Sequence, residues 1–268
     1  MKKIIILFII ILTNVNAQNA AELLKTIDSF QYLISERGIQ DLVVEMEDPL
    51  LLKRMNEQMY MGRIQKLSFR FYWTKEPERI DVEVIGLPEG FFEIKQQLKN
   101  MVLAKFENIL PLSFERKFKG YNAKIIPGKP NLISLVDEKG IQAIPEFHIQ
   151  FKDKYQVTEI KMLKPIGTGS LSMDQEIKDW SNGRWVTLNK NSSTVDNGIS
   201  VVSKTEYKYA LIKGFGLPIT AKTKTTISST LSRKSKSQTE IEELSFGQYK
   251  INEGVALRWF VGIDPKTK

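Results

Sequence analysis

Leu67 to Ile85 reads LSFRFYWTKEPERIDVEVI. Leu67, Phe69, Phe71 and Trp73 alternate with Ser68, Arg70 and Tyr72, and after Thr74-Lys75-Glu76-Pro77-Glu78 the alternation resumes. Ile80, Val82 and Val84 then share one face and Asp81 and Glu83 the other. A period of two in aromatic and β-branched residues marks a hairpin with one apolar and one wet face. Pro77 has no N–H to give a ladder, so it belongs to the turn. The apolar face needs a cover, and the sequence on either side supplies helices and further strands.

The chain has 268 residues, 42% hydrophobic and 26% charged, an ordinary globular composition with room for one large β-rich domain or two small ones. Lys2 and Lys3 precede the apolar run Ile4 to Leu12, and Val15-Asn16-Ala17 fits a small-residue cleavage site. Residues 1–17 therefore read as a secretory signal peptide, with a retained anchor as the rival. No second run of spanning length follows, so the mature chain is expected to be soluble. With no cysteine, neither a disulfide nor a lipid-modified cysteine contributes, and the core alone must stabilise residues 18–268. The Lys-, Ile- and Asn-rich composition is bacterial in character and points to a periplasm. Without Lys2 and Lys3 the net charge falls from +8 to +6, scattered along the strands. That modest excess suits anionic headgroups or acidic partners, and export argues against nucleic acid.

In chain order, Asn19-Ala20-Ala21-Glu22 has the form of a capping box. Ala20, Leu23, Leu24, Ile27, Phe30, Leu33 and Ile34 recur at helical spacing, with Gly38 as the stop. This amphipathic helix covers the sheet or, alternatively, lies on a membrane surface. Gln40 to Met46 reads as a strand, and Asp48-Pro49 as the start of a short helix through Met55. Met55, Met59 and Met61 suit either plain core filling or a mobile ligand site. After the loop Gly86 to Gly90, Phe91, Ile94, Leu98, Met101, Val102 and Phe106 predict a second helix, either a fixed core element or a movable lid.

From Leu112 onward the pattern is β. Expected strands are 112–118, 123–126, 132–137, 145–151, 156–163, 171–178, 184–189, 199–211, 217–229 and 240–250. Lys119-Gly120, Asp137 to Gly140, Ser181-Asn182-Gly183 and Asp196-Asn197-Gly198 serve as turns. So many strands with short turns imply a largely antiparallel, strongly curved sheet in an α+β, mainly β, chain. A single domain over 18–268 is expected, with Leu110-Pro111 as the one plausible internal boundary. Lys222, Lys224, Arg233, Lys234 and Lys236 read as a solvated hairpin or as a basic patch facing headgroups or a partner.

The chain carries little catalytic signal. His148 is the single histidine, and alternation turns it away from Phe147, Ile149 and Phe151. One histidine and no cysteine argue against zinc sites and against cysteine or serine–histidine catalysis, and no metal or cofactor is expected. Glu45/Glu47 and Glu242/Glu243 lack the spacing of a shared acid–base site, although folding can bring a glycosidase pair together. Gly167-Thr168-Gly169-Ser170 lacks the lysine and helix of a phosphate loop and reads as a turn. A non-enzyme is expected.

Several short motifs occur in a suggestive order: WTKEPERI at Trp73 to Ile80, Gly183-Arg184-Trp185-Val186, Tyr207-Lys208-Tyr209 through Gly214-Phe215-Gly216-Leu217-Pro218, and Phe246-Gly247-Gln248-Tyr249-Lys250-Ile251-Asn252. Behind an export signal and an amphipathic helix, they make the chain similar to the periplasmic outer-membrane lipoprotein carrier family and its LolA-like relatives. That resemblance implies a half-open antiparallel β-barrel whose concave face is covered by helices and holds acyl chains, as in lipoprotein sorting or lipid transport. The chain is longer than the minimal carrier, and Arg63, Arg70 and Arg79 compete as counterpart of the carrier's cavity arginine.

The expected ligand site is a hydrophobic cavity lined by Leu67, Phe69, Phe71, Trp73, Ile80, Val82 and Val84, with Phe91, Leu98, Met101 and Phe106 from the second helix. Its partners are lipid or lipoprotein acyl chains held without covalent bonding by a monomer that touches membrane-bound donor or acceptor proteins transiently. The alternative is a non-catalytic envelope interaction or stress-sensor protein on the same fold, with a dry core and exposed strands binding a partner.

Overall fold

The computed structural model describes residues 22–58, 64–229 and 236–263. The proposed signal peptide, the first three residues of the capping box, Met59, Met61, Arg63, Arg233 and Lys234 lie outside them. Twelve strands form one sheet: β1 (Asp41–Glu47), β2 (Ser68–Thr74), β3 (Arg79–Ile85), β4 (Asn122–Ile126), β5 (Lys129–Val136), β6 (Glu146–Phe151), β7 (Val157–Leu163), β8 (Thr168–Ile177), β9 (Trp185–Asp196), β10 (Ile199–Ile212), β11 (Phe215–Ser229) and β12 (Lys236–Ile251). Their order is β3-β2-β1-β12-β11-β10-β9-β8-β7-β6-β5-β4. The sheet is not closed, since β3 and β4 are its two edges. The pairs from β3 to β12 and from β4 to β9 are antiparallel. Helices are α1 (22–30), α2 (Pro49–Gln58), α3 (Phe92–Leu103), α4 (Phe114–Lys117) and α5 (Val255–Phe260). This is the mainly antiparallel α+β architecture expected from the sequence.

The described residues form two compact units, one holding 22–32, 112–205, 224–229 and 236–240, the other 33–58, 64–111, 206–223 and 241–263. In the first unit, cross-strand register stacks Ile125, Ile133, Ile149, Ile160 and Leu171 in one row across β4 to β8. Leu24 and Ile27 of α1 and Phe118 pack on this row, and Ile133 and Ile149 are fully buried. Aliphatic rows of this kind stabilise a sheet through burial and cross-strand contact.

Three expectations in this unit are corrected. The first helix does not run to Gly38, because Gln31 bridges Trp185 and the Tyr32 amide donates to the Trp185 carbonyl, which takes the chain out of the helix. The strand expected over 112–118 is instead α4. Ser113 accepts from the Arg116 amide (3.3 Å), and Asp28 accepts from the amides of Phe114 (2.7 Å) and Glu115 (2.9 Å). Two carboxylate bonds to first-turn N–H groups outweigh the local β pattern. Finally, only Gly167 of the expected Gly167–Ser170 turn lies in the turn. Gly169 is in β8, opposite Met162 and Thr194, and the Met162 side chain occupies the space a Cβ would need. His148 stands on the polar face of β6 and bonds Glu146 (2.7 Å), which also accepts from Ser134 (2.8 Å).

The second unit is built on β1, β2 and β3. Asp48 caps α2 by accepting from the Leu51 amide (2.9 Å), as the Asp-Pro pair predicts. In the β2–β3 turn the Thr74 hydroxyl donates to the Pro77 carbonyl (2.7 Å). At the far end of β3, Gly86 has φ +101, and a Cβ there would meet the Lys66 carbonyl oxygen at 2.0 Å. Only glycine fits that close approach.

Candidate functional site

Register fixes one continuous apolar face on the second unit. Ile80, Trp73, Leu42 and Ile251 lie opposite one another in the first row, Val82, Phe71 and Val44 in the second, and Val84, Phe69, Met46 and Phe246 in the third. Phe69, Phe71, Leu42 and Met46 are fully buried, and Trp73, Val82, Val84 and Leu67 nearly so. The cover comes from the segment after β3. α3 packs against β3 and buries Leu98 and Val102, and Phe106, in the turn of 3-10 helix that follows, stacks on Phe71 with ring centroids 5.2 Å apart.

The far end of this cover is fixed by charge. The Lys105 ammonium donates to Asp48 and to Glu242 (2.8 Å). Burial works against its charge, but the two carboxylates outweigh that and hold its pKa above the ordinary lysine value. At the N-terminal end of α3 Phe92 is 74% exposed, and towards its C-terminal end, where Lys99 pairs with Asp81, Met101 and Ile80 remain 49% and 38% exposed. Of the expected cavity residues, the register or the ring stack brings Phe69, Phe71, Trp73, Val82, Val84 and Phe106 together on one buried face. Leu67 and Leu98 are buried, Phe91 is half-buried, and Ile80 and Met101 stand at least partly in solvent. Leu42, Val44 and Met46 share the same face, and sequence reasoning left them out. Their signal was the strand alternation already visible in Gln40–Met46.

The opposite face is wet only in part: Ser68 and Tyr72 are buried, while Arg70, Asp81 and Glu83 stay partly exposed. Across the register Glu45, Arg70 and Glu83 align, and Arg70 donates to Glu45 (3.1 Å) and Glu83 (3.2 Å) while the Tyr72 hydroxyl donates to Glu83 (2.8 Å). Burial opposes ionisation of Glu45, yet the Arg70 guanidinium and Lys66 ammonium overcome it and hold its carboxyl below the usual range. α5 covers the neighbouring part of this face. Val255 and Ala256 pack with Val43 and Tyr72, and Asp41 accepts from the amides of Gly254 (2.5 Å) and Ala256 (2.7 Å). The expectation of one solvated face is therefore corrected: Tyr72 is 1% exposed because a C-terminal helix lies on it.

This arrangement also settles where two of the three competing arginines lie. Arg70 is on the face opposite the aromatic row, engaged by carboxylates, and Arg79 is exposed at the start of β3. Among the described residues no group of three or more His, Asp or Glu side chains is placed to hold a metal ion. No helix among the described residues is long and apolar enough to cross a membrane.

Neither a family model nor a curated protein matches this chain. Among solved structures, a LolA superfamily protein from Nitrosomonas europaea is similar over 87% of this chain and 94% of its own, at 9% identity and a TM-score of 0.29. A likeness of that degree adds nothing to the strand order and register described above.

Proposed function

We propose that this chain is a non-catalytic binder of acyl chains, exported through residues 1–17 to a periplasm. There it carries lipid or the acyl groups of lipoproteins between membrane-bound donors and acceptors. The observation that carries this reading is the asymmetry of the cover over the aromatic face. Phe106, Lys105 and the Lys99–Asp81 pair hold the C-terminal part of the α3 segment, whereas its N-terminal end begins at the exposed Phe92. A helix held at one end can swing away and let an apolar chain replace it on Phe69, Phe71 and Trp73. Each acyl CH₂ so buried contributes about 0.8 kcal/mol, which gives reversible holding for one or two chains.

Complete burial of Phe69 and Phe71, with Phe106 stacked on the latter, favours a second reading in which the face is a permanent dry core. The chain then serves as an envelope interaction or sensor protein. Delipidation separates the two. A carrier loses thermal stability when stripped of lipid and regains it when fatty acid is returned, by mass action. An unfolding midpoint indifferent to both treatments rejects the carrier reading.

A further inference from the structure

In the first unit, antiparallel pairing sends the β5–β6, β7–β8 and β9–β10 connections to one end of the strands and the β4–β5, β6–β7 and β8–β9 connections to the other. Contacts confirm the first grouping. A Cβ on Gly167 would meet the Val195 carbonyl oxygen at 2.0 Å, so the β7–β8 turn lies against the start of the β9–β10 turn. Adjacent hairpins of one sheet stand about 10 Å apart, so the three tips span roughly 20 Å.

The first two tips carry aliphatic side chains where turns ordinarily carry polar ones, and at the third, aliphatic strand ends flank the Asn197-Gly198 turn. Ile141 is 75% exposed, Ile166 63%, and Val195 and Ile199 at the third tip are also exposed. A single exposed aliphatic residue is unremarkable, but one at each tip along the same end is a pattern. The first two tips share the order lysine, turn residue, isoleucine: Lys139-Gly140-Ile141 and Lys164-Pro165-Ile166. Neither lysine pairs with a carboxylate among the described residues. The nearby acids are mostly engaged. Asp137 is buried and accepts from the Lys139 (3.1 Å) and Gln142 amides, and Glu138 pairs with Lys124 (2.9 Å). Glu138, paired with Lys124, and Asp196 are the exposed acids on this end.

We infer that this end of the first unit is a membrane-docking edge, at which the three hairpin tips enter the interfacial layer of a bilayer bearing anionic phospholipid. Aliphatic tips flanked by lysine match that interface, where apolar groups meet acyl chains and ammonium groups meet phosphates. The occupant is the lipid surface itself, not a lipid held inside the fold, so the inference stands apart from the acyl-chain reading.

Because the chain has no cysteine, a single environment-sensitive fluorophore can be placed at will. Ile141→Cys and Ile166→Cys carry it at the tips, and Lys152→Cys carries it at the β6–β7 connection on the opposite end. With vesicles of equal parts phosphatidylglycerol and phosphatidylethanolamine, the tip probes shift to the blue and the Lys152→Cys probe does not. With pure phosphatidylcholine the tip shift weakens. The double variant Ile141→Ser/Ile166→Ser binds the anionic vesicles roughly tenfold less tightly, and its unchanged circular dichroism shows that it folds. Tip probes that stay unshifted, or equal shifts at both ends, would overturn the inference. So would unchanged binding by the double variant, which would assign the contact to another part of the chain, or tip probes that respond only to a protein partner.

Discussion

The indole of Trp259 lies flat on the phenol of Tyr72, ring centroids 4.2 Å apart and planes 3° from parallel. The same indole N–H donates to Asp81 (2.9 Å), and Lys99 of α3 pairs with Asp81 as well (3.3 Å). One edge-strand carboxylate therefore holds both α3 and α5. Trp259→Ala removes the stack, the hydrogen bond and the cover of Tyr72. It is expected to destabilise by about 2–3 kcal/mol, read as a lower midpoint in urea with an unchanged slope. Trp259→Phe, which keeps the ring but not the N–H, should recover more than half of that loss.

The Glu45–Arg70–Glu83 row makes stability depend on acid. The Glu45 carboxyl titrates below its ordinary value of 4.5 in the folded chain. A depressed carboxylate contributes stability that is present above the unfolded value and lost as pH falls through the folded one. Thermal scans of the wild type and Glu45→Gln should therefore differ at neutral pH, and their gap should narrow as acidification passes below the ordinary value and close once the depressed folded value is passed. Arg70→Ala, which leaves the buried Glu45 with only the largely exposed Lys66 as a cationic partner, is expected to cost about 2–3 kcal/mol at neutral pH. An unchanged gap across the range would show that this row contributes no pH-linked stability.

At the start of α4 the helix depends on a residue far away in sequence. Asp28→Ala leaves two first-turn amides without their acceptor, and a loss of about 1–2 kcal/mol is expected in denaturant titration. Ser113→Ala, whose hydroxyl accepts one longer bond, should cost less. The reverse ranking would place the cap in the local sequence.

Glycine positions separate conformation from space. Gly128 has φ +75 with open space around it, whereas Gly86 has φ +101 and the Lys66 carbonyl where a Cβ would sit. Gly128→Ala is expected to cost about 1 kcal/mol and Gly86→Ala at least about 2, since the second must also move backbone. Comparable losses at both would mean that the β3–α3 connection shifts freely.

The sequence reveals some of these features better than others. Alternation is local, so the Ser68–Thr74 and Arg79–Ile85 hairpin and most later strands were legible within a few residues at each end. The apolar face could be read from Phe69, Phe71 and Trp73 for the same reason. What escaped depends on partners distant in the chain. Asp28 turns 114–117 into a helix, Trp185 ends α1 at Gln31, and α5 dries the face around Tyr72. None of these pairings leaves a periodic trace. Exposure at Ile80 and Met101 escaped too, because periodicity assigns a side chain to a face and says nothing of where the cover on that face stops.

Native mass spectrometry of the protein, purified without detergent, tests the acyl-chain reading most directly. The reading predicts a stoichiometric adduct that extraction identifies as phospholipid, a lipoprotein acyl group or glycolipid, and that fluorescent fatty acid displaces. A bare chain that takes up no fatty acid would contradict it and leave the face of Phe69, Phe71 and Trp73 as a packed core.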